Sequence, residues 1–235
     1  MDAVICVIVL NEERYIDEWL DHHKKIGFSK VYMYDNSDEN TMKNYESDFV
    51  HVTHLPGKVM QSKAYEHFFT NFGKFHKWCA VIDVDEFIKL KKHENIVQLL
   101  QEYIPIKGAL GINWVLFGSN GHETYSPEPV TKRFTKRQKG VNIHIKCIVN
   151  TSSVSIYDHP HMPTNCPIID TNGNVFINSP FNENGDDRVV QLNHYFVKSK
   201  EEFLIKINKG RSDQIQKRTF DEFYHHDLNE IEEEF

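Results

Sequence analysis

The chain opens on Ala3-Val-Ile-Cys-Val-Ile-Val-Leu10, eight consecutive apolar residues dominated by β-branched side chains. Such a run has no polar side to give to water, so as a strand it must be covered on both faces, as a central strand of a parallel sheet is. The neighbouring residues agree with that placement. Asn11 reads as the cap of a helix over residues 12–26, where Ile16, Trp19, Leu20, His23 and Ile26 recur on one face and Gly27 supplies the stop. A second strand is expected at Lys30–Asp35, a third near Val50–His54, a helix from about Met60 to Phe72, and a fourth strand at Trp78–Asp83. Strands alternating with helices imply βαβ units, and ligands of such sheets sit at the carboxyl ends of the strands. Asn11-Glu12, Asp35-Asn36 and Asp83-Val84-Asp85 all stand at those ends.

Further along, Ala109–Phe117 reads as a strand ending in Gly118-Ser-Asn-Gly121. From there to about Asp187 the composition shifts to Pro, Asn, Ser and Thr with short β-like pieces such as Val141–Val149. This is the pattern of a loop-rich region laid over a sheet, where substrates are usually chosen. Val189–Val197 reads as a returning strand, and Ser199-Lys-Glu-Glu202 as a capping box opening a helix that runs to Lys209 and stops at Gly210. The tail from Phe220 to Phe235 is acidic and partly amphipathic. At 235 residues, with no long linker and no internal repeat, the chain reads as one domain in two functional halves, 1–117 and 118–235.

Composition narrows the function classes. A net charge of −7 argues against a general nucleic-acid binder or a membrane-surface protein, since both need basic surface to meet phosphate. Cys6, Cys79, Cys147 and Cys166 show no CxxC spacing and read as reduced, buried thiols. With no signal-like leader and no apolar run of transmembrane length, the expectation for the chain as given is a cytoplasmic protein.

The 14 histidines invite a metal reading, tested position by position. His159-Pro-His161 with Cys166 lacks a fourth ligand at zinc spacing. His22-His23 and His225-His226 fall in expected helices, where adjacent side chains diverge by about 100° and cannot chelate one ion. The basic residues Lys132, Arg133, Lys136, Arg137 and Lys139 read as a solvated run.

Asp83-Val84-Asp85 carries more. Alternation puts both carboxylates on one side as the chain leaves the sheet, and two such oxygens suit a hard divalent cation that bridges to a diphosphate. Two enzyme classes use this placement. In a haloacid-dehalogenase-like phosphatase Asp83 would be a nucleophile and Asp186-Asp187 the later acids, but the motif comes late in the chain and those acids follow no apolar strand. In a nucleotide-sugar glycosyltransferase of the GT-A type the aspartates hold a metal on the donor. A non-catalytic glycan-binding module is a third alternative, which would not need the acidic groups to gather.

The ordered series Leu10-Asn-Glu-Glu-Arg14, Tyr34-Asp-Asn-Ser37, Gln61-Ser-Lys-Ala-Tyr65, Ile82-Asp-Val-Asp-Glu-Phe87, Trp114-Val-Leu-Phe-Gly-Ser-Asn-Gly-His122, Lys146 and Asn193-His-Tyr-Phe-Val-Lys198 resembles glycosyltransferase family 92 and the related family 2-like group over roughly residues 5–211. The resemblance implies a GT-A-like, Rossmann-type, mostly parallel sheet flanked by helices. It implies a metal-dependent, inverting transfer of a sugar from a nucleotide-diphosphate donor, a UDP-sugar in first place, to a hydroxyl of a glycan or glycoconjugate.

Residue by residue, the resemblance makes Asp83, Asp85 and His194 the holders of Mn²⁺ or Mg²⁺, with Asp83 also near the donor sugar or ribose. Asn11, Glu12 and Asp35 match positions that line the nucleotide, Gln61 heads a helix facing the donor, and Lys198, Lys206 and Arg211 supply positive charge for the diphosphate. Inversion needs a base opposite the diphosphate. The loop after Gly121 offers His122 and Glu123, with Asp158 and His159 behind them.

Overall fold

A computed structural model describes residues 2–235. Strand β1 (Ala3–Val9) is buried along its whole length, between β2 (Lys30–Asp35) and β4 (Trp78–Val81), both parallel to it. Its side chains alternate between two cores, Ala3, Ile5, Val7 and Val9 in one and Val4, Cys6 and Ile8 in the other. Helix α1 (Ile16–Lys25) closes the first core with Ile16, Trp19 and Leu20; α2 (Gln61–Asn71) closes the second with Ala64, Tyr65 and Phe68. The continuous apolar run is thus the consequence of helices on both faces. Strand β3 (Val50–His54) extends the parallel core beyond β2.

Beyond β4 the sheet is mixed. Its path runs β10-β9-β6-β8-β4-β1-β2-β3 and combines β6 (Ala109–Leu116), β8 (Ile145–Asn150), β9 (Ile168–Ile169) and β10 (Val175–Phe176). Strand β8 pairs antiparallel with both β4 and β6. The chain is therefore α/β with a mostly parallel sheet flanked by helices, as expected, in which β6 pairs parallel with β9 and β11 while β8 is inserted antiparallel between β4 and β6.

Strand β11 (Val190–His194) returns parallel to β6 and antiparallel to β5 (Glu86–Leu90). Residues of 118–235 therefore complete a sheet begun in 1–117. Neither β5 nor α3 (Ile96–Tyr103) is among the elements expected above, although Ile96, Leu99 and Leu100 recur at helical spacing and are buried; β5 begins directly at the acidic turn. Between β6 and β8 lie the short α4 (Val130–Arg133) and β7 (Lys136–Arg137). The chain ends with α5 (Lys200–Lys209), α6 (Asp221–His226) and β12 (Ile231–Glu232), which pairs with β7.

Two local readings are corrected. Asn11 does not cap α1: it takes φ 51°, ends β1 in a left-handed turn, and a further turn precedes Tyr15, the true cap residue. The left-handed well that Asn tolerates is incompatible with the extended backbone of a cap. The last strand before the acidic motif stops at Val81, because the chain turns at Asp83, where the Glu86 N–H reaches the Asp83 carbonyl at 3.1 Å. By contrast the capping box of α5 is complete: Ser199 and Glu202 satisfy each other's backbone N–H groups, and Gly210 ends the helix at φ 86°. All four cysteines are buried free thiols, and no helix among the described residues is long and apolar enough to cross a membrane.

Candidate active site

The carboxyl ends of β1, β4, β6 and β11 open into one cleft, walled on its far side by the end of α5 and the segment 210–218. The acidic turn projects into it because β4 ends at Val81 and β5 leaves antiparallel, so Asp83 and Asp85 stand between two strands rather than within one.

Asp83 Oδ2 accepts a hydrogen bond of 2.8 Å from Lys146 Nζ, which also donates to the Pro160 carbonyl at 2.9 Å. Lys146 reaches it because Cys147 on β8 is registered against Val81 on β4. Burial would drive the Lys146 ammonium down, but the Asp83 carboxylate beside it holds it above its usual value. Burial conversely raises the Glu86 carboxyl well above the usual range. Its Oε2 accepts the Asp83 N–H at 2.7 Å, which locks the turn from below.

Asp85 belongs to a second group. Its Oδ2 lies 2.6 Å from Lys206 Nζ, and its Oδ1 lies 3.5 Å from His194 Nε2. Burial works to protonate the Asp85 carboxyl, yet the Lys206 ammonium beside it outweighs burial and keeps it well below the usual range. Burial lowers the His194 imidazole, against the pull of Asp85. The pair is thus an ionised carboxylate facing a neutral imidazole, the states in which both act as metal ligands.

Among the described residues no three His, Cys, Asp or Glu side chains gather closely enough to enclose an ion unaided. Asp83 is turned away to Lys146. The donor set therefore fits a divalent ion only as a site completed by ligand phosphates and water, the usual arrangement for Mg²⁺ and its substitutes. Asp85 and His194 would be its protein ligands.

The other expected residues divide. Glu12 lines the cleft and ion-pairs with Lys209. Gln61, at the start of α2, lines it too, donating to Tyr65 Oη at 2.7 Å. Arg211 lines it with Nη2 held 2.9 Å from both carboxylate oxygens of Glu222. Asn11 lies in an adjoining cleft with Asn36, Ser37 and Lys58, and the two clefts share Leu10, Lys209 and Arg211. Asp35 is fully buried and faces neither; its oxygens accept the N–H groups of Ser37 and Met42, at 2.9 and 2.8 Å, and so shape the loop that lines the adjoining cleft. Lys198 lies in a third pocket behind Asp85, its Nζ 4.5 Å over the Tyr15 ring.

His122 and Glu123 do not reach the cleft. His122 Nε2 meets the Arg133 carbonyl at 3.2 Å, and Glu123 pairs with Lys200 at 2.7 Å on the surface. Their loop packs against α4 and the start of α5 instead of folding over the strand ends. Asp158 accepts from Thr164 at the surface, and His159 lies outside the cleft lining. Asp187 is bound to Lys91 and Arg137 and Asp186 to Arg188, away from Asp83. His22 and His23 pack on Phe87. The basic run is only partly solvated, because Arg133 and Arg137 are buried in ion pairs with Glu202 and Glu233.

The structure adds Lys146, Lys209, Arg218, Trp114 and His161 to the cleft wall. Lys146 carried a signal, an ionisable residue inside the apolar run Ile145–Val149. Arg218 carried none, lying in a segment without periodicity. His161 is set by its Nδ1–H, which donates to the Ile145 carbonyl at 2.9 Å.

A solved structure titled as the bifunctional IspDF of Campylobacter jejuni overlaps 74% of this chain and 50% of its own, at a TM-score of 0.41 and 12% identity. Among curated relatives, a glycosyltransferase family 92 protein of Oryza sativa subsp. japonica is 24% identical over 170 residues, or 67% of this chain and 29% of the relative. One of Ricinus communis is 23% identical over 211 residues, 83% of this chain and 35% of the relative. The chain thus spans about a third of the length of these relatives. The profile of glycosyltransferase family 92 matches residues 2–230, nearly the whole sequence and all of the cleft. On that match, the chain belongs to glycosyltransferase family 92.

Proposed function

We propose that this chain is a glycosyl-transferring domain of the GT-A type, which takes a sugar from a nucleotide-diphosphate donor, a UDP-sugar in first place, to a hydroxyl of a glycan or glycoconjugate. The observation that carries this reading is the opposition, in one cleft, of the acidic turn Asp83–Asp85 to the cationic groups of Lys206, Lys209, Arg211 and Arg218. A nucleoside fits the adjoining cleft at the ends of β1 and β2, with Asn11, Asn36 and Ser37 as its polar contacts. The shared wall of Lys209 and Arg211 then receives the diphosphate, and the sugar lies toward Asp83, Gln61 and Trp114.

Cleaving the sugar–diphosphate bond builds negative charge on the leaving group, and preorganised cations answer that charge without reorganising. Lys209 and Arg211 supply part of it from positions fixed by Glu12 and Glu222. Mn²⁺ or Mg²⁺ bound through Asp85 and His194 would supply Lewis-acid charge to the same phosphates. Inversion requires a base on the far face of the sugar. Of the carboxylates in the cleft outside the acidic turn, Glu12 is engaged by Lys209, and Asp213 stands exposed at the rim. Asp213 replaces His122 and Glu123 as the residue assigned to take the acceptor proton.

Thermal shift with UDP, GDP and other nucleotides, each with and without Mn²⁺, tests the reading. Stabilisation that needs nucleotide and metal together and disappears in Asp85→Ala supports it; no response to any nucleotide overturns the donor site.

A further inference from the structure

The Asp85–His194 pair faces a competitor built into the chain. Lys206 Nζ lies 2.6 Å from Asp85 Oδ2, donates to the Phe196 carbonyl at 2.9 Å, and sits 4.1 Å over the Phe196 ring. It stands in the wall between the main cleft and the pocket behind Asp85, so its ammonium is sheltered on both sides. Helix α5 carries it. That helix is pinned at its start by the capping box and by the buried pair of Arg133 with Glu202, so the Lys206 backbone has little freedom while its long side chain has much.

A divalent ion bound to Asp85 and His194 would share its carboxylate with this ammonium. Like charges that close, away from bulk water, repel strongly. In the donor-free protein Lys206 already neutralises Asp85, so an ion arriving alone must displace a cation that the Phe196 carbonyl and ring tether beside that carboxylate. A diphosphate changes the balance. It brings negative charge to the wall formed by Lys209 and Arg211, one helical turn from Lys206, and offers the ammonium a new partner.

We propose that Lys206 is a tethered counter-cation that makes the Asp85–His194 site accept a divalent ion only together with a nucleoside diphosphate. The ligand of the cleft is then the metal–nucleoside diphosphate complex, with Lys206 moving from Asp85 to the phosphates as it binds. The proposal rests on the reading of this cleft as a donor site.

Mn²⁺ binding to the full chain, followed by the electron paramagnetic resonance signal of free Mn²⁺, tests it. The titration is run without nucleotide and with saturating UDP or GDP, on the unmodified protein, Lys206→Met and Lys206→Arg. Nucleotide should tighten Mn²⁺ binding to the unmodified protein by roughly tenfold or more, as expected for removal of a close like charge. Lys206→Met should bind Mn²⁺ alone about tenfold more tightly than the unmodified protein, so that nucleotide, which still supplies phosphate ligands, adds a smaller further gain than it does in the unmodified protein. Lys206→Arg, which keeps the charge, should behave as the unmodified protein. A gain of affinity is not what a damaged fold produces, so the readout separates the role of Lys206 from mere support. Equal Mn²⁺ affinity in Lys206→Met and the unmodified protein overturns the proposal, as does metal binding indifferent to nucleotide. Nucleotide binding with no Mn²⁺ bound in any of the three overturns it and leaves the donor site standing; no nucleotide binding at all removes both.

Discussion

Arg133 and Glu202 meet as a fork, Nη1 to Oε2 at 2.9 Å and Nη2 to Oε1 at 3.0 Å, with both side chains buried. Glu202 closes the capping box of α5 and also accepts from Tyr15 Oη at 2.9 Å. One carboxylate thus ties α4, the start of α1 and the helix that carries Lys206 and Lys209. Arg133→Met leaves a buried carboxylate without its main partner and is expected to cost about 3–5 kcal/mol. Urea unfolding measures it, and a loss under about 1 kcal/mol would show the pair to be dispensable.

The same carboxylate sets an acid limit. Burial would raise Glu202, but hydrogen bonds from Arg133 and Ser199, and then Tyr15, hold it at about 2. A carboxyl depressed in the folded state adds stability above its unfolded value of about 4.3, and loses it as pH falls toward about 2. Roughly 3 kcal/mol is at stake across that window. Melting curves from about pH 5 to about pH 2 should fall steeply for the unmodified protein and more shallowly for Glu202→Gln, which starts lower because it leaves Arg133 uncompensated. Parallel slopes would contradict this.

Lys146 orients Asp83 from a fully buried position. Lys146→Met should destabilise the protein by on the order of 3 kcal/mol, because Asp83 loses its cation next to the buried Glu86. Nucleotide affinity should change less than turnover of the donor, since the interaction acts near the sugar rather than the base. A variant with normal stability and normal turnover would remove Lys146 from the site.

Asp213 and Glu123 give opposite expectations. Asp213→Asn should lower release of nucleoside diphosphate from the donor by about 10²–10⁴-fold while leaving donor binding in thermal shift intact. Glu123→Gln, which only loses an exposed partner in Lys200, should match the unmodified protein. The reverse pattern would return the base to the loop after Gly121.

Asp35→Ala strips the acceptors from the N–H groups of Ser37 and Met42, a loss of about 1–3 kcal/mol for each buried donor left unpaired. Amide exchange should rise across residues 36–42, and nucleotide affinity should fall with it. Unchanged exchange there would mean that the loop is held by other contacts.

Much of this arrangement is legible in local sequence. The continuous apolar run of β1, the amphipathic face of α1, the capping box of α5 and the polar residues at strand ends are each written in a few adjacent positions, because hydrogen-bond geometry and burial act over single turns and single strands. Asp83, Asp85 and Gln61 come to the cleft for that reason. Asn11 and Asp35 also stand at strand ends, but which way each side chain turned depended on a left-handed backbone in one case and on unsatisfied loop amides in the other.

What local pattern could not show was pairing at a distance. Nothing near Asp83 announces Lys146, and nothing near Asp85 announces Lys206; these partners lie 63 and 121 residues away and meet only because β8 and β11 are inserted antiparallel and parallel to strands formed earlier. The same packing carried His122 and Glu123 away from the strand ends and brought Asp213, Arg218 and His161 to them. The sequence alone determined the parallel α/β core, the acidic turn at its edge and the family. The tertiary structure decided which charges compensate that turn, because a buried carboxylate takes whatever cation the folded backbone sets beside it.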